Sequence, residues 1–273
     1  GLTVSVVWAR LDAPDIALAE AAVGAGITGA LFMRALGALP RLEVTPGAAG
    51  ARAYWTVIRA LTGLLTAAVG ALLAWSIAAI PAPETMLAGL VREAMPRSGV
   101  GNPVTAVLLN FRGYDTLLEV AVLLLALIAT WSLRLPRSPV GRDSPGLVLQ
   151  ELVRLLVPLL IVLAGYLLWL GAHAPGGAFQ AGALLAGAGV LLTLVGGRPL
   201  GPLAPPVLRG LAALGVAVFL AVALIVMGEG RLLEYPRGQA GLLILLIEAA
   251  STVSIGLTLA YLFRGDEPAQ QVG

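Results

Sequence analysis

Seven stretches of this chain stay apolar for about as long as a bilayer is thick. They run near 15–38, 57–80, 104–133, 148–170, 178–196, 207–228 and 239–263. About 20 mainly apolar residues make a helix that crosses a hydrocarbon core of ~30 Å. Inside lipid, only a helix or a closed barrel satisfies its own backbone hydrogen bonds. The alternating polar and apolar ten-residue segments of a barrel are missing from the sequence. The expected fold is therefore all-α, a polytopic transmembrane helix bundle of about seven spans. Composition agrees: 12% of the residues are charged, against about 25% in a soluble domain, which excludes a water-soluble enzyme domain.

The residue types present exclude several chemistries. There is no cysteine, hence no disulfide, thiolate metal site or cysteine nucleophile. His173 is the one histidine, and all 17 basic residues are arginine. Schiff-base chemistry and lysine proton relays are therefore absent. No cofactor motif is visible, so no cofactor is expected, and an intramembrane enzyme has too few ligands to work with. The net charge of +2 is small and scattered, unlike a nucleic-acid surface. The expected surroundings are the lipid bilayer, with no nucleic acid as partner.

A helix running from 2 to 38 would be roughly 55 Å long, too long for the core. Asp12-Ala-Pro-Asp15 is expected to break it, with Asp12 and Asp15 as a helix cap and turn and Pro14 in the first turn of the next helix. Leu2–Arg10 then reads as the tail of an earlier helix. No secretory signal is visible. Loop arginines set orientation. The 40–56, 134–146 and 197–206 loops carry Arg41, Arg52, Arg134, Arg137, Arg142 and Arg198, and are expected on the cytoplasmic side together with the C-terminal tail. The expected location is the cell inner (cytoplasmic) membrane.

Charged side chains within spans are costly, so each is a functional hypothesis. Glu119 lies mid-span, Asp115 four residues before it and Arg112 three before that, a spacing that predicts one helical stripe. Glu248 sits among Leu246, Ile247, Ala249 and Ala250. It is expected to be protonated or to face a polar cavity, with the hydroxyls of Ser251, Thr252 and Ser254 at hand. Glu20 is about two turns into the first span. Each of these carboxylates can carry Na⁺ or H⁺, or can simply hold helices together through arginine or hydroxyl partners. Asp115 with Arg112, and Glu151 with Arg154, also read as ion pairs. His173, in the turn before the fifth span, is either a hydrogen-bonded turn residue or a proton relay. Gly182, Ala186 and Gly189 read as a close helix contact.

Three motifs together carry a family resemblance. Asp12-Ala-Pro-Asp-Ile-Ala-Leu-Ala-Glu-Ala-Ala-Val-Gly24 resembles the signature in the C-terminal part of the large A-type polypeptide of Mrp-type Na⁺/H⁺ antiporters, shared with the D-type polypeptide of membrane-bound hydrogenases. Asn110-Phe-Arg-Gly-Tyr-Asp-Thr-Leu-Leu-Glu119 resembles the segment that follows, equivalent to the hydrogenase E-type polypeptide. Ala172-His-Ala-Pro-Gly-Gly-Ala-Phe-Gln-Ala-Gly182 resembles the first loop of the Mrp B-type polypeptide. The chain departs from these patterns at Ala19, Leu118 and Ala178, where Thr, Gly and Gly are usual.

The resemblance implies three modules. Residues 1–55 are D-like and expected to be incomplete at the front, 56–143 are E-like, and 144–273 are B-like. It also implies an accessory membrane subunit of a multisubunit, complex-I-related cation/proton antiporter. With no lysine, the chain is not one of the large lysine-bearing channel subunits. Glu119, Asp115 and Arg112 would form the central site, with Glu20 and Glu248 as further steps and His173 at a mouth. Na⁺ would bind only transiently, at Glu119 and Glu248. The alternatives are a purely structural scaffold joining antiporter modules, or the same module within a membrane-bound hydrogenase or other complex-I-like enzyme.

Overall fold

A computed structural model describes residues 1–38, 49–79, 86–133, 146–196, 203–228, 232–236 and 238–265. Among them every regular element is helical. Six helices are long and apolar enough to span a membrane: Pro14–Gly37, Thr56–Ser76, Gly113–Ser132, Leu147–Leu170, Pro205–Met227 and Ala240–Arg264. Ala178–Leu194 is a shorter apolar helix. The chain is thus an all-α, multi-pass membrane protein. Arg41, Arg134, Arg137, Arg142, Arg198 and the end of the C-terminal tail, which carry the expected orientation, lie outside the described residues.

Two compact units are formed, Gly1–Ala38 with Val91–Gly273, and Leu39–Leu90. In the first, α1 (Leu2–Arg10) ends at a reversal where Asp12 takes φ 57°. It packs along α2 (Pro14–Ala19), which continues through a π-helical stretch, Glu20–Ile27, into α3 (Thr28–Ala38). The Ser5 hydroxyl donates to the Ala17 carbonyl at 2.7 Å. Pro14 occupies the first turn of α2, as the sequence predicts, because its missing N–H has no partner to lose there. The described part of the second unit is dominated by α4 (Ala49–Ala79), a 31-residue helix. The next helix along the chain is α5 (Met86–Ala94).

The stretch 104–133 is not the single helix expected. Asn102 starts α6 (Pro103–Ala106), its side-chain oxygen accepting from the Val104 N–H at 2.8 Å. A π-helical stretch, Val107–Phe111, follows, and Arg112 at φ −131° and ψ 33° leaves helical geometry. A new helix, α7, then runs from Gly113 to Ser132. A broken helix leaves carbonyls without partners, and in a membrane these need substitutes. The Thr116 hydroxyl supplies one to Leu108 at 2.6 Å, and the Tyr235 hydroxyl another to Leu109 at 2.9 Å.

The remaining helices are α8 (Leu147–Leu170), α9 (Ala178–Leu194), α10 (Pro205–Met227) and α11 (Ala240–Arg264). α11 is the hub. Its residues join all three buried apolar clusters, meeting α7 and α10 through Ile244 and Ile247, α9 through Ile255, and Leu127 and Ala212 through Leu257 and Tyr261. A helix apolar on every side belongs inside a bundle. Small residues allow the close approach to α9: a Cβ on Gly182 would lie 2.8 Å from Ile255 Cγ2, and one on Gly256 2.7 Å from Leu185 Cβ. The Gly182, Ala186, Gly189 face is buried, as expected of a packing face. Glu151 and Arg154 form the expected exposed ion pair at 2.7 Å.

Candidate functional site

The first and third sequence motifs meet residues 101–105 at one polar junction. The turn between α8 and α9 reverses the chain at Pro175-Gly176-Gly177, with Gly177 at φ 112°, a region that strongly favours glycine. The Gly101 N–H donates to the Ala172 carbonyl at 2.7 Å, and the Thr105 hydroxyl donates to the Gly171 carbonyl at 2.6 Å. Asp15 closes the junction from the other side. Its Oδ1 accepts from Asn102 Nδ2 at 3.2 Å and from the Gly176 N–H at 3.3 Å. Its backbone carbonyl accepts from Gln180 Nε2 at 3.3 Å. Asp15, Asn102, Thr105 and Gln180 are all buried.

The expectation that Asp15 caps a helix is therefore corrected. The N-cap of α2 is Ala13, with no side-chain cap, and the Asp15 carboxylate is spent on segments far away in sequence. A buried carboxylate is tolerable when N–H groups satisfy it, and here two do.

Beside this junction lies a cavity of about 760 Å³. Asp15, Glu20, Asp115, Glu119 and Glu248 line it, with Thr105, Thr116, Gln180 and Ser251. Among the described residues that line it there is no arginine. Glu20 comes from the π-helical stretch and folds back over Gly24, where any Cβ would strike its carboxylate. Asp115 and Glu119 lie one turn apart on α7, on its more exposed side. Glu248, from α11, is 2% exposed. The Ala178 N–H at the start of α9 donates to its carboxylate, while Oε2 and the Ser251 hydroxyl find no partner among the described residues.

Other expectations are corrected in detail. Arg112 does not share a helical stripe with Asp115 and Glu119, since α7 begins after it. It pairs with Asp115 at 2.5 Å, its side chain 70% exposed, and does not line the cavity. His173 is exposed, sits 5.9 Å from the Trp169 ring and is not among the lining residues. Of the three hydroxyls after Glu248, only Ser251 reaches the cavity. Thr252 donates to the Glu248 carbonyl at 2.8 Å, and Ser254 to Ala212 of α10. Residue-by-residue reading missed Asn102, Thr105, Thr116 and Gln180. Asn102-Pro103 was legible as a helix start, and Gln180 lies in the Ala172–Gly182 motif, but nothing local told that its amide would reach Asp15.

Comparison with known proteins follows the same order along the chain. Residues 1–41 match the MbhD family of MBH, residues 56–150 the MbhE family of MBH, and residues 148–265 a domain related to the MnhB subunit of Na⁺/H⁺ antiporter. A Rhizobium meliloti protein, named as the probable A/B component of a K⁺/H⁺ antiporter, is 28% identical over 229 residues, covering 72% of this chain and 23% of its own length. The fold resembles a chain of the Mrp complex from a Dietzia species, with TM-score 0.71 and 22% identity, over 100% of this chain and 32% of that one. It also resembles a chain of an archaeal membrane-bound sulfane sulfur reductase, with TM-score 0.61 and 23% identity, over 77% of this chain and 97% of that one. The chain spans about a quarter of the curated relative's length and about a third of the Dietzia chain's. With MbhD-, MbhE- and MnhB-related segments in order along most of its length, the chain belongs to the Mrp-type antiporter subunits, joining the C-terminal region of the A-type polypeptide to a B-like module.

Proposed function

We propose that the chain serves as an accessory membrane subunit of a multisubunit, complex-I-like cation/proton antiporter, and that it contributes carboxylates to a Na⁺, K⁺ or H⁺ path. It performs no covalent chemistry of its own. The family matches support three modules, over 1–55, 56–143 and 144–273, and the partners are antiporter-like membrane subunits. One observation carries the reading: carboxylates from all three modules converge on a single cavity whose described lining residues include no arginine. Carboxylates serving only to hold helices together are paired or hydrogen-bonded, and Asp15 and Asp115 are of that kind here. Glu248 keeps an unpartnered oxygen. It and Glu119 are the transport residues, with Glu20 between modules. Asp115 with Arg112 forms an ion pair at the rim, and His173 stands outside.

The test replaces Glu119 and Glu248 by glutamine, one at a time, in the assembled complex. Each change keeps the shape and removes the titratable charge. Cation-dependent proton exchange in inside-out vesicles should fall sharply in each, with assembly intact. Near-normal exchange by both variants would make the chain a scaffold.

A further inference from the structure

We infer that Glu248, Ser251 and Gln180 form an all-oxygen subsite for one partly hydrated monovalent alkali cation, held open by Gly177. This deepens the proposed function and rests on it. Two polar atoms on one face of α11, Glu248 Oε2 and Ser251 Oγ, are buried without a partner among the described residues, and both residues are only 2% exposed. Buried polar atoms are nearly always satisfied, so two orphans three residues apart on a cavity wall point to a ligand that contacts both. A third oxygen is fixed by its own amide. Gln180 Nε2 must donate to the Asp15 carbonyl, which leaves Gln180 Oε1 as the end turned toward Gly177.

The missing side chain at position 177 leaves room beside the Glu248 carboxylate and the Gln180 carbonyl oxygen. A Cβ there would lie 2.9 Å from Glu248 Oε1 and 3.7 Å from Gln180 Oε1. The Ala178 N–H engages the carboxylate and leaves Oε2 free. Asp15 is spent on Asn102 and Gly176, so it positions Gln180 and does not compete for the ion. The donor set is a carboxylate, a hydroxyl and an amide carbonyl, with neither nitrogen nor sulfur. Hard cations take such oxygens, and one negative charge suits a single positive one.

Ser251→Ala separates this subsite from a buried hydroxyl that serves nothing. Deleting an unpartnered hydroxyl should leave the complex assembled and no less heat-stable. If the hydroxyl is a ligand, the apparent KM for the driving cation, read by titrating Na⁺ or K⁺ against dissipation of a pH gradient in inside-out vesicles, should rise roughly five- to tenfold, with the maximal rate retained. Gly177→Ala, which pushes a carbon against the Glu248 carboxylate, should raise the same KM. An unchanged KM in Ser251→Ala, or loss of assembly in that variant, would overturn the subsite. Glu248→Gln tells the two readings apart. Lost transport there with a normal KM in Ser251→Ala would remove only the subsite, whereas normal transport in both Glu248→Gln and Glu119→Gln would remove the proposed path as well.

Discussion

Replacing Asp15 by alanine should loosen the junction of the three modules more than any other single polar change there. The carboxylate takes hydrogen bonds from Asn102 Nδ2 and the Gly176 N–H. Alanine leaves both donors buried, and a stranded buried donor costs about 1–3 kcal/mol. The Gly176 side borders the cavity, where water can take over part of the loss, so the net cost is about 2–5 kcal/mol. Asp15→Asn keeps an oxygen that accepts both bonds and gives up only the charge assistance, about 1 kcal/mol. The natural chain has no cysteine, so Ala181→Cys, at a fully buried position in the first turn of α9, becomes a unique reporter of local opening. A thiol-reactive probe should label it at least about 30-fold faster in Asp15→Ala, because each 1.4 kcal/mol is worth tenfold. In Asp15→Asn the gain should stay below about tenfold. Labelling of Asp15→Ala within about threefold of the Ala181→Cys parent would refute the reasoning and show that the turn between α8 and α9 is held by other contacts.

Two further outcomes follow from the packing. Burial pushes the Tyr235 phenol above its ordinary value of 10.0, so the folded state holds its proton while the unfolded chain gives it up. The stabilisation from this group is full below pH ~10 and is lost as pH rises beyond that. Tyr235→Phe should therefore be less stable by about 1 kcal/mol near neutral pH, through the lost bond to Leu109, and the gap should close above pH ~10. Thermal unfolding measured from neutral to alkaline pH checks this, and a constant gap would contradict it. Gly182→Val would set side-chain carbons against Ile255, where even a Cβ would lie 2.8 Å away. It should cost about 1–3 kcal/mol and lower the melting temperature of the complex, whereas Gly187→Ala, where a Cβ meets nothing within 4 Å, should not.

The spans were legible because lipid imposes a length and a composition, and both can be counted along the sequence. So was the start of the second helix at Pro14, where a single residue's geometry settles the matter. The family motifs marked which loops and carboxylates to watch. Helix breaks were less visible: nothing in Val107–Phe111 departs from an apolar run, and the interruption at Arg112 stands because Thr116 and Tyr235, one of them over 120 residues away, satisfy the carbonyls it frees. The chemistry of the site was settled still later in the hierarchy. Carboxylates within membrane spans could be read directly, since each residue's place in an apolar run is a local property. Which of them are spent and which are free follows from how the helices pack. Asp15 is consumed by N–H donors from two distant segments, and Arg112 is turned away by the break before α7. Glu248 is left with an open oxygen because the glycine turn at 176–177 brings the start of α9 against only one side of its carboxylate. Hydrogen-bond partners are chosen by proximity in space, and proximity is what the packing of α9 against α11 creates.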